Sequence, residues 1–537
     1  MRFFCALIMA LAVTFARTGV ATAGHVSPGP TGGTDVKVTA DNNNLPSTSP
    51  ATPGFDAQND AQNEPSIAIS RADPRIVAIL ANDFRMLQRS GFAWTGLYVS
   101  SDSGATWFNT MPPGFPTDAT PAGAASGLLG MTISGDPVVR FDAAGNLYLL
   151  ALAFTFEANR NQFGPNNLIY IARYHYTPGT PGGVSTPTSA ANPPNFTYAF
   201  TTIVDRGSVA LVHAHGRFED KPWLGIDTNP SSPCFGSVYV AFLKADAERG
   251  SQLIVLSRST DLGLTFSQPR PIAVSGQAGS VSTFAASLHV AADGALYAAY
   301  RTGFTSADPA NEVRVVRSDD CGRKFTKPVT VAPVRALRSP IVPRVGALPQ
   351  VAADDLNPST VYVAFPSLSG SPANPDIFVA RSTDRGATWE APTRVNDDTT
   401  SQAQFFPTIA VSHGAVHVAW YDLRDSTPDQ QVLNVYYASS NTSDAAYPLF
   451  SHNVRVSDVG FDPNCNILLG SPSGPFIGDY IELDARFDGI NHIVHVAWAD
   501  NRDIRPCVPP NIPFPQVPPS QGVFNQNVYT DRLIVKP

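Results

Sequence analysis

Short runs of alternating apolar and polar residues recur along the chain, and Gly, Pro, Asn or Asp bounds most of them. Period-two alternation between such residues predicts short β-strands joined by tight turns. The strands repeat one order: a first strand often opened by an acid or a proline, a very apolar second strand, a third and a fourth. The units start near Glu64, Asp136, Asp220, Phe284, Leu348, Phe405 and Asp479. This repetition predicts an all-β repeat architecture of small antiparallel sheets.

The seventh unit has only three predicted strands, and one short alternating segment, Asp35 to Thr39, stands alone near the N-terminus. Its pattern resembles the fourth strands of other units, such as Thr393 to Val395. We therefore predict that it pairs with the last strand, around Asn527 to Val535. Such closure removes exposed sheet edges. The predicted fold is all-β, with seven four-stranded units and the N-terminal strand completing the last of them.

One octapeptide pattern, S-x-D-x-G-x-x-[WF], occurs four times, each time after a predicted strand. Its Asp accepts hydrogen bonds from the turn backbone, its Gly takes a positive φ, and its aromatic residue packs onto the sheet. The copies cover residues 100–107, 259–266, 318–325 and 382–389. Through these motifs the chain resembles the Asp-box (BNR) repeat proteins of the sialidase superfamily. The resemblance implies a β-propeller, and because sialidases have six blades, six is the alternative to the seven counted here.

Charge and targeting signals restrict the partners and the location. A net charge of −8, a pI near 5.7 and a charged fraction of 15% argue against nucleic acid or an anionic membrane as partner. Arg2, the apolar run Phe3 to Ala16 and the small residues Ala21 to Ala23 predict a signal peptide over residues 1–23. We expect a secreted or periplasmic monomer, in which residues 24–62 form an exposed lead with the closing strand and residues 63–537 form the propeller.

Four cysteines follow the predicted signal peptide, an even number in an oxidising compartment. Strand directions place Cys234 and Cys321 on the face that carries the S-x-D-x-G turns, in adjacent blades. Cys465 and Cys507 fall in connections on the opposite face. A disulfide needs Cα atoms within about 7 Å of each other. We therefore predict the bonds 234–321 and 465–507, with four free thiols as the alternative.

Two sets of polar residues are predicted on that opposite face, around the mouth of the central channel. The starts of first strands supply Glu64, Asp136, Asp220, Asp479 and Tyr480. The ends of second strands supply a repeated D-x-R, with Asp83 and Arg85, Asp422 and Arg424, and Asp500 and Arg502. Three neighbouring arginines predict a carboxylate or sulfate site, and sialidases also hold the sugar carboxylate with three arginines. The alternative is that each Asp pairs locally with its own Arg.

Catalytic groups are expected at the same mouth. Tyr480 and Glu482 are two residues apart on a predicted strand and so point the same way. A Tyr–Glu couple is what a sialidase-like nucleophile requires, because the carboxylate takes the phenol proton during attack. Asp136 or Asp220 would act as the acid. The alternative is that Tyr480 packs in the core and Glu482 is satisfied within the channel.

Further substrate-binding candidates lie near this mouth. His213, His215 and Arg217 precede the third blade, and Arg301 ends the second strand of the fourth. Glu64 and Asp479 are assigned to substrate binding as well. Alternating histidines can share a metal or form an acid–base pair, and the alternative is that both face solvent.

The predicted function is that of an exported, sialidase-like glycoside hydrolase of the exo-α-sialidase type. Its partner would be an acidic, carboxylate-bearing glycan, and we expect no cofactor and no bound metal. One alternative is a uronate-polysaccharide lyase that uses His213 or His215 with Tyr480. The other is a non-catalytic propeller that binds glycan or protein, because a fold alone does not define a function.

Overall fold

The computed structural model describes most of the chain. The described residues are 32–40, 61–86, 93–157, 162–186, 189–210, 215–246, 251–274, 283–303, 311–335, 348–369, 374–441, 449–465, 476–504 and 525–537. The predicted signal peptide, His213 and Cys507 lie outside these residues. Within them, no helix is both long and apolar enough to cross a membrane.

The first four blades follow one another along the chain. Blade 1 contains β2 (Gln62–Ile69), β3 (Val77–Asp83), β4 (Trp94–Ser100) and β5 (Phe108–Thr110). Blade 2 contains β6 (Ile133–Phe141), β7 (Leu147–Glu157), β8 (Gln162–Tyr176) and β9 (Phe196–Ala210). Blade 3 contains β10 (His215–Ile226), β11 (Val238–Asp246), β12 (Ser251–Ser259) and β13 (Arg270–Val274). Blade 4 contains β14 (Thr283–Val290), β15 (Leu296–Thr302), β16 (Glu312–Ser318) and β17 (Val329–Pro333).

Three more blades complete the ring. Blade 5 contains β18 (Gln350–Ala353), β19 (Val361–Ser369), β20 (Asn374–Ser382) and β21 (Thr393–Arg394). Blade 6 contains β22 (Gln404–Ser412), β23 (Ala415–Asp422), β24 (Asn434–Asn441) and β25 (Val454–Arg455). Blade 7 contains β26 (Glu482–Phe487), β27 (His492–Asp500), β28 (Asn527–Val535) and β1 (Val36–Lys37). Short helices, Phe84–Met86, Pro121–Ala125 and Pro463–Cys465, interrupt the connections.

The N-terminal strand closes the ring as predicted. In β1, Val36 pairs with Thr530 and Lys37 pairs with Tyr529 of the antiparallel strand β28. The Val38 amide continues the pairing by donating to the Val528 carbonyl at 2.9 Å. The fold is therefore a seven-bladed β-propeller, and the six-bladed alternative is wrong.

Blades 2 and 3 depart from the regular pattern, because their sheets join into one sheet of eight strands. The junction is the antiparallel pairing of β9 with β10, in which His215 lies opposite Ala210 and Arg217 opposite Ser208. β8 and β9 are each 15 residues long, which lets them extend past the ring to make this contact. The sequence pattern did not predict this connection.

The hydrophobic core lies between neighbouring blades. One cluster joins blades 1 and 2 and includes Leu80 and Leu147, and another joins blades 6 and 7 and includes Tyr421 and Trp498. Trp498 and Leu80 are fully buried. Because each blade buries both of its faces against neighbours, the second strands are apolar at almost every position, as the sequence shows.

The four S-x-D-x-G turns share one hydrogen-bond pattern. The Asp Oδ1 accepts the amide proton of the residue four positions later, at 2.9, 2.9, 2.8 and 2.8 Å. The Ser Oγ accepts the amide proton of the Gly at 2.8 to 2.9 Å. The glycines have positive φ, and so do the residues before them, Ser103, Leu262, Cys321 and Arg385. The side chains therefore hold a left-handed turn that would otherwise be strained.

A disulfide joins Cys234 to Cys321, with the Cα atoms 5.4 Å apart, and confirms the first predicted bond. It links the first-to-second turn of blade 3 to the S-x-D-x-G turn of blade 4. Cys465 is also disulfide-bonded. Cys507 lies outside the described residues, so the bond 465–507 stays a prediction.

Candidate functional site

The first strands of five blades carry the same backbone irregularity, a β-bulge near the channel mouth. The pairing register shifts between Asn63 and Ser66 in β2, and at the equivalent place in β6, β10, β14 and β22. One residue in each bulge has a positive φ of 40 to 54°: Glu64, Asp136, Lys221, Ala285 and Phe406. Four of these precede a proline, which normally holds the preceding residue in an extended conformation. Strained backbone of this kind, repeated around a channel, is typical of a functional site.

The bulges bring four acids around a single lysine. The Nζ atom of Lys221 lies 2.7 Å from Asp479, 3.0 Å from Asp136 and 3.7 Å from Glu64. We call these residues, with Asp220 and Tyr480, the mouth cluster. The lysine is only 8% exposed and Glu64 only 1%. The cluster therefore holds several ionisable groups almost out of contact with water.

Gly478 allows blade 7 to approach blade 1 closely enough to complete the cluster. Its φ is 90°, and a Cβ there would lie 2.7 Å from Cγ of Glu64. Only glycine adopts this conformation and leaves this space. The next two residues, Asp479 and Tyr480, are thus placed beside Glu64 and Lys221, with Nζ of the lysine 5.8 Å from the Tyr480 ring centroid.

Hydrogen bonds between carboxyl groups set the protonation of the cluster. Burial opposes ionisation of Asp136, but the charge of Lys221 and hydrogen bonds from Glu64, Asp220 and Lys221 outweigh it and lower its pKa to about 2. Burial and the charge of Asp136 raise the pKa of Asp220 to about 7. Burial also raises the pKa of Glu64 well above its usual range, although Lys221 works against it. An ionised Asp136 thus lies between two carboxyl groups that hold their protons.

The lysine remains charged within this group. Burial lowers the pKa of Lys221, but the surrounding carboxyl groups, Asp136 first and then Asp479, more than reverse that effect. Its ammonium group takes the central position among the acids. Among the described residues, no group of three or more His, Cys, Asp or Glu is arranged to hold a metal ion.

Tyr480 is in the cluster, but its environment keeps the phenol protonated. Burial and then the charges of Glu64, Asp136, Glu482 and Asp479 raise its pKa well above 10. Its hydroxyl donates to the Pro137 carbonyl at 3.4 Å. This environment suits a hydrogen-bond donor rather than the nucleophile expected from the sequence.

Glu482 does not serve Tyr480. It accepts hydrogen bonds from the Ser66 hydroxyl and from the Ile67 amide, the latter at 3.0 Å, and it lies 2.6 Å from Arg140 Nη2. Its partners therefore belong to blades 1 and 2, further down the channel. The alternative considered for this residue, a carboxylate satisfied within the channel, describes what the structure contains.

Each of the three arginines of the D-x-R pairs binds the aspartate two residues before it. Arg85 Nε donates to Asp83 at 2.9 Å, and Arg424 Nε donates to Asp422 at 2.9 Å. Arg502 lies 2.7 Å from Asp500 and 2.7 Å from Asp35. Each guanidinium also lies over a tyrosine ring of its own blade. This is the local pairing given above as the alternative to a shared carboxylate site.

The other predicted binding residues lie apart from the mouth cluster or are not described. Arg301 Nε donates to Asn311 at 3.0 Å, and Arg217 Nε lies 3.6 Å from Asp246 on a more exposed edge. His213 lies outside the described residues. His215 lies in β10, but its side chain is not described. The proposals for these histidines therefore stay predictions.

A small cavity of about 20 Å³ opens beside the cluster. Asp136, Lys221, Asp479 and Tyr480 contribute the polar part of its wall, and the aromatic rings of Trp223 and Phe406 contribute to the apolar part. The cavity itself has room for about one water, and carboxyl groups next to aromatic surfaces at its opening are suited to contact a sugar ring, which has both polar edges and apolar faces.

Sequence reasoning missed Lys221, the residue at the centre of the cluster. It lies in the sequence Asp220-Lys221-Pro222, which matches Glu64-Pro65, Asp136-Pro137 and Phe406-Pro407 at the same point of their blades. This repeated residue-before-proline position was the available signal. Aligning the first strands on their prolines would have placed Lys221 at the same position as Glu64 and Asp136.

No protein-family model and no curated protein matches the sequence. Several solved structures are similar at low identity. A protein of unknown function from Dyadobacter fermentans is 12% identical with a TM-score of 0.41, and the match covers 95% of this chain and 100% of that one. A Trypanosoma rangeli sialidase is 12% identical with a TM-score of 0.43, covering 88% and 71%. An α-L-arabinofuranosidase from Fusarium graminearum is 13% identical with a TM-score of 0.40, covering 74% and 91%.

Proposed function

We propose that this protein is a glycoside hydrolase whose acid–base chemistry is carried by the mouth cluster. The supporting observation is the separation of carboxyl pKa values within the mouth cluster, with Asp136, which lines the cavity, at about 2 and Asp220, hydrogen-bonded to it, at about 7. Two carboxyl groups whose environments drive their pKa values apart are suited to act as base and acid. Near neutral pH, Asp136 is ionised while a substantial fraction of Asp220 keeps its proton.

The proposed reaction is hydrolysis of a glycosidic bond. Asp136 lines the cavity and acts as the carboxylate that takes a proton from the attacking water. Asp220 is hydrogen-bonded to Asp136 and lies behind it, so the proton of Asp220 reaches the leaving oxygen through Asp136 as the C–O bond breaks. Water provides the hydroxyl for the sugar and restores the proton. Lys221 holds both carboxyl groups in place, Asp136 through its ammonium group and Asp220 through its backbone amide.

The substrate class that we propose is a neutral or amino sugar. The one lysine of the mouth cluster is already paired with Asp136 and Asp479, so the cluster offers a carboxylate no unpaired cation. The acidic glycans expected from the sequence, including sialosides, would require arginines with unused donors near the cavity. The arginines of the D-x-R pairs instead bind Asp83, Asp422 and Asp500.

Turnover of aryl glycosides by the secreted protein tests this proposal. The panel should include neutral pyranosides and furanosides, hexosaminides, sialosides and uronides. We expect release of the aryl group from at least one neutral or amino sugar. Asp136→Asn should lower kcat by about 10²–10⁴-fold, the usual contribution of a positioned acid or base. Asp220→Asn should remove the limb of the pH–rate profile near neutral pH.

Asp246→Asn is the matched control, because Asp246 is paired with Arg217 away from the cavity. It should keep the rate of the unmodified protein. Turnover of sialosides alone would contradict the proposed substrate class. Glycan binding without any turnover would contradict catalysis and favour a binding propeller.

A further inference from the structure

The central channel continues behind the mouth cluster as a cavity of about 170 Å³. One water needs about 10–15 Å³ of such space, so the channel has room for several waters or a small ion. Its far end lies on the face of the S-x-D-x-G turns. The loop after β2 reaches that face, because the Ser103 amide of the first such turn donates to the Arg75 carbonyl at 2.8 Å.

This far end carries three arginines from neighbouring blades. Arg71 follows β2, Arg140 lies in β6 and Arg486 lies in β26. Arg71 and Arg140 line the channel directly. Arg486 Nη1 donates to the Ser70 carbonyl at 2.5 Å, which holds its guanidinium against the backbone next to Arg71. The mouth of the channel thus carries one lysine, whereas its far end carries three arginines.

The arginines differ in how they are satisfied. Arg140 donates to the Val139 carbonyl at 2.7 Å and to Glu482 at 2.6 Å. Arg71 is exposed, and within the described part of the chain its side chain makes no hydrogen bond and no ion pair. As far as the described residues go, the donors of that guanidinium are therefore unused at the entrance to the channel.

The acids at this end are largely engaged by other groups. Asp484 accepts the Ile69 and Ala485 amides at 2.8 Å each, and Asp73 lies 2.7 Å from Arg75. The positive charge of these arginines lowers the pKa values of nearby basic groups. Burial and then Arg71 lower the pKa of Arg486. Burial, Arg71 and Arg140 lower the pKa of His289 to about 4, although Asp355 works against them.

We propose that this end of the channel binds a small oxyanion, a carboxylate, sulfate or phosphate group, between Arg71 and Arg486. Guanidinium groups bind oxyanions through paired N–H bonds, and two of them enclose one anion from two sides. Arg486 is already held by Ser70, so it loses little freedom on binding. The anion is either free in solution or a substituent of a glycan. The site is separate from the mouth cluster and does not depend on the proposed hydrolysis.

Calorimetric titration of the secreted protein with sodium sulfate tests the site, against sodium chloride at matched ionic strength. We expect saturable binding of one sulfate. Arg71→Met should weaken it at least tenfold, and because Arg71 makes no contact that the fold needs, the melting temperature should not change. Arg486→Met should weaken binding to a similar extent. The matched control is Arg323→Met, which removes an exposed arginine from the turn of blade 4 on the same face; it should change affinity less than twofold.

A second titration, with methyl glucuronide against methyl glucoside, separates the two sources of the anion. Binding of the glucuronide in competition with sulfate would assign the site to a glycan substituent, and binding of sulfate alone would assign it to a free ion. The proposal is overturned if sulfate gives no saturable binding. It is also overturned if Arg71→Met and Arg323→Met weaken binding equally, because the effect would then be one of total charge.

Discussion

Two sets of repeated features occupy opposite faces of the propeller, and they repeat in different ways. In the S-x-D-x-G turns both the sequence and the backbone recur, and each Asp accepts the same hydrogen bonds. In the first-strand bulges only the backbone recurs. The residue with positive φ is an acid in two blades, a lysine in one, and Ala or Phe in two others.

The difference separates the residues that the fold itself requires from the residues that can carry chemistry. The turn residues are repeated because the turn itself needs them. A bulge with positive φ does not need a carboxylate or a lysine, yet blades 1, 2 and 3 place Glu64, Asp136 and Lys221 there. The varied side chains on a constant, strained backbone therefore mark the functional positions, and the constant motif marks the scaffold.

Replacing the lysine is the substitution expected to have the largest effect. Lys221→Met would leave the buried carboxyl groups of Asp136, Asp479 and Glu64 without their shared cation. Breaking a buried ion pair in this way costs about 3–5 kcal/mol. Urea unfolding near pH 7 should report a loss of that size. The loss should shrink as the pH falls, because without the lysine the buried Asp136 takes up a proton at a pH at which Lys221 keeps it ionised in the unmodified protein.

Lys37→Met is the control of matched chemistry. Lys37 lies 3.0 Å from Asp503, but it belongs to the closing strand near the surface. A partly exposed pair is worth about 0–1 kcal/mol. Equal losses for the two variants would contradict the assignment of the mouth cluster as a buried, tightly coupled group.

The backbone strain of the bulge can be tested at Ala285, whose φ is 40° and whose side chain carries no charge. The expected change in stability is smaller than for Lys221→Met. Ala285→Gly should be neutral or stabilise the fold by up to about 1 kcal/mol, because relief of roughly 1–2 kcal/mol of left-handed strain offsets the added chain entropy. Ala286→Gly, in the next and unstrained position, should destabilise it by about 1 kcal/mol. Urea midpoints of the two variants provide the measurement. Equal destabilisation would show that the bulge is not strained.

Much of the fold could be predicted from sequence because it depends on local patterns. Period-two strands, four repeated turns and the orphan strand at Val36 were enough to count seven blades and to pair the termini. The bond between Cys234 and Cys321 followed from strand direction. The junction of β9 with β10 could not be predicted, since long strands in an insertion give no sign of which edge they meet.

The candidate site could be predicted only in part. Glu64, Asp136, Asp220, Asp479 and Tyr480 were expected at the mouth, and the structure brings them together. Lys221 was missed because a bulge shifts which side chain faces the channel, and strand alternation assumes that no such shift occurs. The sequence allowed two interpretations of Arg85, Arg424 and Arg502. Each could pair with its own aspartate, or the three could bind one carboxylate together. Sequence spacing cannot make that choice, because it depends on where neighbouring loops lie.

The most direct test of the central claim is a pH titration of the protein by NMR with ¹³C-labelled aspartate carboxyl groups. Burial and the charge of Asp136 raise the pKa of Asp220 to about 7, so this aspartate should titrate near neutral pH, above Asp531, whose pKa burial raises to about 6. That signal should be absent from Asp220→Asn. In Asp136→Asn it should move towards the ordinary value of about 3.9, because the neighbouring negative charge is gone. If every aspartate of the unmodified protein titrates in the ordinary range, the mouth cluster does not contain one ionised and one protonated aspartate near neutral pH. The proposed mechanism is then wrong.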